Sequence, residues 1–173
     1  QMDSGESVET GTVGNEGFLG LPVLLDAQTT PNEVICQGDG DALVLPVADL
    51  RALLDRSPAA RSLLNRYAQS YLVQSSQSTA CNRLHEIHQR CAKWLLMTHD
   101  RAVSDTFPMT QEFLSLMLGV RRASVSVAAA GLQEAGIITY HRGMIAIVDR
   151  PALEASSCEC YRVTREEYDR LVG

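Results

Sequence analysis

The stretch Thr110-Gln-Glu-Phe-Leu-Ser-Leu-Met-Leu-Gly119-Val-Arg-Arg-Ala-Ser-Val-Ser-Val-Ala-Ala-Ala-Gly-Leu-Gln-Glu-Ala-Gly136 decides the fold of this 173-residue chain. Thr110 is a good N-cap, with Gln111 and Glu112 in the first turn. Phe113, Leu114, Met117 and Leu118 then make the apolar face of a short helix. Gly119 ends that helix, Val120 plugs the angle, and a second helix begins near Arg122. On it Val125, Ala128, Leu132 and Ala135 share one face and are expected to point inward, with Gly136 as the stop. The outward face, Arg122, Ser126, Ala129, Ala130 and Gln133, carries no acidic group that a phosphate would repel. Next, Ile137–Tyr140 and Met144–Val148 flank His141-Arg142-Gly143, a predicted β-hairpin with Gly at its turn. Asp149-Arg150-Pro151 stops the second strand. Short helix, glycine turn, second helix and hairpin is the order of a winged helix-turn-helix. Arg121 and Arg122 stand where a helix N-terminus also favours phosphate, and arginine can grip a phosphate or the guanine edge with two hydrogen bonds.

Upstream of this unit, about Glu86–Asp100 is predicted helical through Ile87, Cys91, Trp94, Leu95 and Met97, and a polar loop runs to Phe107-Pro108. Ala48–Arg56 is a short predicted helix closed by Ser57-Pro58. From Pro58 to about Leu84 no further Pro and no Gly interrupts the chain, so one long helix of roughly 40 Å is expected. Its stripe Leu63, Leu64, Tyr67, Tyr71 and Leu72 continues through Gln74, Ser75, Ser78 and Cys81. A second copy of the chain could cover that stripe, with Leu64, Tyr67, Tyr71, Gln74, Ser78 and Cys81 in the dimer seam. The alternative is a helix that covers the N-terminal segment. Residues 1–47 are glycine-rich and read as short strands and turns, with β-leaning pieces at Ser7–Val13, Val34–Gln37 and Ala42–Leu45. A tail helix is predicted from Thr164, its capping box completed by Glu167.

The formal net charge of −6 counts at first against a nucleic-acid partner. Its distribution reverses that argument. Residues 1–80 hold 4 basic and 10 acidic side chains, residues 81–150 hold 8 and 6, and residues 151–173 hold 3 and 5. The helix-turn-helix segment is therefore net basic between acidic ends. Hydrophobic residues at 45% and charged residues at 21% fit a globular chain and argue against disorder. No segment has the apolar run of a membrane helix, and residues 1–16 lack the pattern of a secretory signal. Five cysteines without disulfide-scaffold density are expected to be reduced thiols of a cytoplasmic protein.

Thr110-Gln-Glu-Phe, Leu118-Gly-Val-Arg-Arg-Ala-Ser-Val-Ser-Val and Gly136-Ile-Ile with its short wing resemble the cyclic-AMP receptor protein/Fnr regulators. Glu16-Gly-Phe-Leu-Gly-Leu-Pro resembles a turn of their β-roll. Asn82-Arg-Leu-His and Arg90-Cys-Ala-Lys-Trp-Leu-Leu resemble their hinge and the helix after the dimer helix. The resemblance implies an α+β chain: a partial, cyclic-nucleotide-binding-like β-roll over 1–47, linker and dimerisation helices over 48–84, a DNA-binding winged helix-turn-helix over 85–152, and a helical tail over 153–173. Roughly half of the β-roll is expected to be missing. By position, Arg122 falls on the family's base-reading arginine, and Thr110, Gln111, Arg121, Ser124 and His141 fall on backbone-contact positions, with Arg142 beside them on the wing. Ser126 lies on the same outward face. Ala123 stands where an acidic base-reading residue is expected and Val127 where an arginine is, so the operator should differ from that of the cyclic-AMP receptor. The resemblance also implies double-stranded DNA, a second copy of the chain and RNA polymerase as partners.

Cyclic-AMP binding is not expected. Gly20-Leu21 and Pro31-Asn32 stand where nucleotide-binding members carry Gly-Glu and Arg-Ser pairs, so the charges for ribose and phosphate are lacking; Ser75 and Ser76 alone match the base-contacting positions. Cys81, His85 and His88 are spaced like metal ligands, with Cys91 a turn further on, but the hinge near Leu84–Glu86 should break that face. No metal or other cofactor is therefore expected, nor a redox role for Cys158-Glu-Cys160. No Ser/His/Asp set, Walker loop or dinucleotide fingerprint is present, so catalysis is not expected. The competing reading is a ligand- or metal-responsive dimerisation module without DNA binding.

Overall fold

The computed structural model describes residues 3, 5 and 7–173. In chain order its elements are α1 (Leu21–Leu24), α2 (Val47–Arg56), α3 (Pro58–Leu84), α4 (Ile87–His99), β1 (Thr106–Pro108), α5 (Gln111–Leu118), α6 (Arg122–Glu134), β2 (Ile138–His141), β3 (Met144–Ile147), α7 (Arg150–Ser156) and α8 (Glu159–Leu171). The class is the mixed one expected, helices with a small antiparallel sheet. Among the described residues no single helix is long and apolar enough to cross a membrane.

Local chemistry sets most boundaries. Ser57 Oγ accepts the Ala60 N–H at 3.2 Å and Pro58 opens α3, a position where the missing N–H of proline costs nothing. Glu86 caps α4 in a capping box with Gln89, and Thr110 Oγ1 accepts the Phe113 N–H at 3.1 Å to start α5. Gly119 ends α5 in the left-handed region, φ 61° and ψ 41°, where a side chain would be strained. The sheet has order β1-β3-β2, with Phe107 and Tyr140 both opposite Ile145. Arg142 (φ 50°) and Gly143 (φ 77°) make the hairpin turn with two positive φ values, the turn whose twist matches its strands.

One apolar core holds the C-terminal half together. Leu95 and Leu96 of α4, Leu114 of α5, Val125 of α6, Ile138 and Ile145 of the sheet, and Leu153 of α7 are all fully buried in it. Arg90 of α4 is buried too; it donates to the Leu118 carbonyl at the end of α5 and to Asn82 Oδ1 at 2.9 Å. It thereby ties the helix-turn-helix to the end of the long helix.

The N-terminal region departs from the β reading. Among the described residues of 1–47 there is no strand, and α1 is the only regular element before α2 begins at Val47. A strand needs a neighbour to satisfy its ladder, and Val34–Cys36 and Ala42–Leu45 lie exposed as irregular chain instead, with Gln37 half-buried and donating to Glu9. Residues 7–18 form an extended arm laid along α3, α4 and α5. The Glu9 N–H donates to the Met117 carbonyl (3.0 Å), Trp94 Nε1 to Glu9 (3.2 Å), and the Thr12 N–H to Gln74 Oε1 (2.6 Å). Further along, Arg101 grips Glu16 through Nε and Nη2 (2.9 and 2.6 Å), and the Tyr168 hydroxyl donates to the Glu16 carbonyl (2.9 Å).

Glycines permit that close approach. A Cβ on Gly17 would lie 2.2 Å from the Tyr67 hydroxyl oxygen, and one on Gly11 2.8 Å from Gln74 Oε1. Gly17→Ala should therefore lift the arm from α3. Trp94, the only tryptophan, reports on the arm through Glu9, so its emission should shift to longer wavelength. An unchanged spectrum would mean that the arm does not cover it.

Four further differences have physical causes. The loop before Pro108 contains β1, because three residues suffice once β3 supplies partners. Asp149-Arg150-Pro151 ends a strand but also starts α7, with Asp149 Oδ1 accepting the Ala152 N–H at 2.9 Å. The tail helix begins at Glu159, five residues before Thr164, whose hydroxyl donates back to the Cys160 carbonyl (2.7 Å) inside α8. On α6, Ala129 is buried and Ala135 exposed, since the neighbouring α4 selects small residues on a broader face and the helix has already ended at Ala135.

Candidate nucleic-acid interface

The α5 and α6 axes meet at 109°, in the range that lets one helix of a helix-turn-helix enter a groove while the other braces it. Val120 packs against the core at this corner. Arg121 is the N-cap residue of α6 and Arg122 its first residue, both exposed. Ala123 and Val127 are exposed beside them, Val127 at 73%, an apolar surface that fits a thymine methyl. The first acidic residue along α6 is Glu134, at its far end.

Polar contacts hold the three parts of this face together. The Ser126 hydroxyl donates to Gln111 Oε1 at 2.6 Å, joining α6 to the start of α5. Gln133 Oε1 accepts the Tyr140 N–H at 2.8 Å and so holds β2 of the wing. The Met109 N–H donates to the Gly143 carbonyl at 2.7 Å, fixing the wing turn beside the Thr110 cap. Burial pushes the Tyr140 phenol up, while the Gln111 backbone N–H and the Arg122 guanidinium hold it partly down. Tyr140 therefore stands between the wing and the start of α6, with the Arg122 charge nearby.

All ten residues expected at the interface lie on α5, α6, the connecting turn or the wing. Thr110, Arg121, Arg122, Ala123, Val127, His141 and Arg142 are exposed, and Gln111, Ser124 and Ser126 are half-buried. The hydroxyl of Ser126 and the side-chain oxygen of Gln111 are engaged with each other, and Gln133 braces the wing. Tyr140 is the member that sequence reasoning missed; Gln133 was placed on the outward face, but not as a brace for the wing. Their only signal was position, an aromatic two residues before the wing turn and an amide one residue before the end of α6.

The seam expected on α3 is placed differently. Tyr67, Gln74 and Cys81 are buried within the chain itself, under the arm and α8, whereas Leu64, Tyr71 and Ser78 remain half-buried and Leu72 is 58% exposed. The metal candidates also separate. His88 is exposed and faces Glu86 (3.4 Å), and Cys91 is sealed in the core, so neither joins Cys81 and His85.

This geometry, a right-angled helix pair with a β-wing on a packed third helix, defines a winged helix-turn-helix protein. Residues 89–156 match the family profile of the Crp-like helix-turn-helix domain. That segment is thereby a Crp-like helix-turn-helix domain. No curated protein sequence matches the chain. Among solved structures, it is similar in fold to FixK2 from Bradyrhizobium japonicum, at 19% identity over 65% of this chain and 59% of that one, with a TM-score of 0.58. A CooA variant from Carboxydothermus hydrogenoformans is similar at 17% identity over 63% and 54%, with a TM-score of 0.51. The chain thus spans little more than half the length of these regulators.

Proposed function

We propose that the chain is a transcription regulator that binds double-stranded DNA as a homodimer on a pseudo-palindromic site. The observation that carries this reading is the pair Arg121 and Arg122, exposed at the N-terminus of a helix set at 109° to its brace. Each head lays α6 in a major groove, Arg122 reads a guanine, and Arg121, Thr110, Ser124, His141 and Arg142 contact phosphates. Residues 85–152 act as the head, 48–84 as the linker and dimer helices, 1–47 as the effector-side segment and 153–173 as the tail. RNA polymerase is the further partner of such a cytoplasmic regulator. Binding proceeds without cyclic AMP, a reading supported by Leu21 and by Pro31-Asn32 where the nucleotide would need a carboxylate and a guanidinium. Selection of bound duplexes from a random pool, followed by gel shifts over a salt series, tests it. Recovery of no preferred sequence would refute base-specific recognition.

Two chains pair through the face of α3 that the arm and α8 leave open. Leu64, Tyr71 and Ser78, half-buried, recur at seven-residue intervals along its edge, Tyr71 also meeting Gly11 of the arm, beside exposed Leu72, the periodicity of a helix seam. Leu72→Asp should leave the folded monomer intact and shift sedimentation from dimer to monomer. A dimer that persists unchanged would place the interface elsewhere.

A further inference from the structure

The end of α3 and the start of α8 bring four metal-binding side chains together. Cys81, His85, Cys158 and Cys160 have ligand atoms that all lie within 4.8 Å of one another. Cys81 Sγ and Cys158 Sγ are 3.5 Å apart, and Cys160 Sγ is 3.5 Å from His85 Nδ1. The three cysteines are buried and His85 is partly so. Chain separation hid the set, because Cys81 and His85 share one helix end while Cys158 and Cys160 arrive from 77 and 75 residues away.

We propose that these residues form a structural zinc site of the Cys3His type. With zinc–sulfur bonds of about 2.3 Å and zinc–nitrogen bonds of about 2.0–2.1 Å, a tetrahedral ion sets its ligand atoms roughly 3.4–3.8 Å apart. The two distances above fall on that spacing already. A cluster of several irons needs its ligands spread more widely, since different metal atoms hold them.

The surroundings match. Glu159 Oε2 lies 3.2 Å from His85 Nε2, so Nε2–H can donate to the carboxylate and leave Nδ1, the nitrogen facing Cys160, as the ligand. Three thiolates and a neutral histidine around Zn2+ carry one net negative charge. Lys93, the chain's only lysine, is buried, with its ammonium 3.5 Å from Ser78 Oγ, one turn before Cys81 on α3. Cys158 is the N-cap residue of α8 and Cys160 lies in its first turn, where the helix end also favours thiolates. Four protein ligands close the coordination shell, so the ion serves structure. His85 is the C-cap residue of α3, and the site would pin the hinge between α3 and α4 to α8.

The test is the metal content of the full chain, purified under reducing conditions, by plasma mass spectrometry. One zinc per chain is expected in the parent protein and in His88→Ala, with loss in Cys81→Ser and in Cys158→Ser. Glu159→Gln should bind zinc on the order of 10- to 100-fold more weakly. Because a cysteine variant could fail to fold, chelator-stripped parent protein is also titrated with Co2+. A thiolate-to-cobalt charge-transfer band that saturates at one equivalent supports the site. Zinc kept by both serine variants, zinc lost in His88→Ala, or a parent protein without zinc and without that cobalt band would overturn it.

Discussion

Arg122→Ala should weaken binding to a selected duplex by about 1–3 kcal/mol, roughly a 5- to 150-fold loss in affinity. Binding to random DNA should change far less. The reasoning rests on the position of the side chain: exposed at the start of α6, beside Tyr140 and clear of acidic neighbours on that helix. A base contact discriminates among sequences, whereas a phosphate contact does not. Arg121→Ala should therefore lower affinity for selected and random duplexes alike and reduce the salt slope by about one. Competitive gel shifts at matched salt measure both. Equal losses on the two duplexes for Arg122→Ala would assign that residue to the backbone and leave the base reading to Ala123 and Val127.

Leu95→Ala carries the largest expected loss of stability. Leu95 is fully buried on α4, in the cluster that also holds Leu114, Val125, Ile145 and Leu153, so it supports α5, α6, the sheet and α7 at once. Removing such a side chain takes away its transfer energy and leaves a cavity, about 2–5 kcal/mol in total. Urea unfolding followed by Trp94 emission gives the midpoint shift. A change under about 1 kcal/mol would mean that the site collapses around the smaller residue. The interface residues themselves are untouched, so the DNA affinity of the folded fraction should be retained.

The two variants separate what each part of the molecule does. Arg122 contributes almost nothing to the fold, being solvated, and Leu95 contributes nothing to the interface directly. Their independence follows from the layout of the head, in which α6 turns Val125, Ala128 and Leu132 inward and Arg122, Ala123 and Val127 outward.

Much of this head was legible from residues alone, because the interactions that define it span only a few positions. Thr110 caps a helix whose first N–H groups lie three residues on. Gly119 takes a left-handed backbone that other residues avoid, and Arg142-Gly143 closes a two-residue turn. The ends of α3 follow in the same way from Ser57-Pro58 and from the hinge at His85. The long helix was visible, but not what covers it: Tyr67 and Gln74 suited a partner chain equally well, and the arm that reaches them comes from residues 11 to 17.

Local chemistry in the sequence thus determined the winged helix-turn-helix, its exposed arginines and the long helix before it. Tertiary structure alone decided that β1 pairs with β3, that residues 7–18 run as an arm without a strand partner, and that Tyr140 and Gln133 brace the wing. It also decided that Cys81 and His85 meet Cys158 and Cys160. The physical reason is range. Caps and turns are satisfied within about four residues of chain, whereas ladder pairing, burial and ligand clusters depend on which distant surfaces the packed core brings into contact.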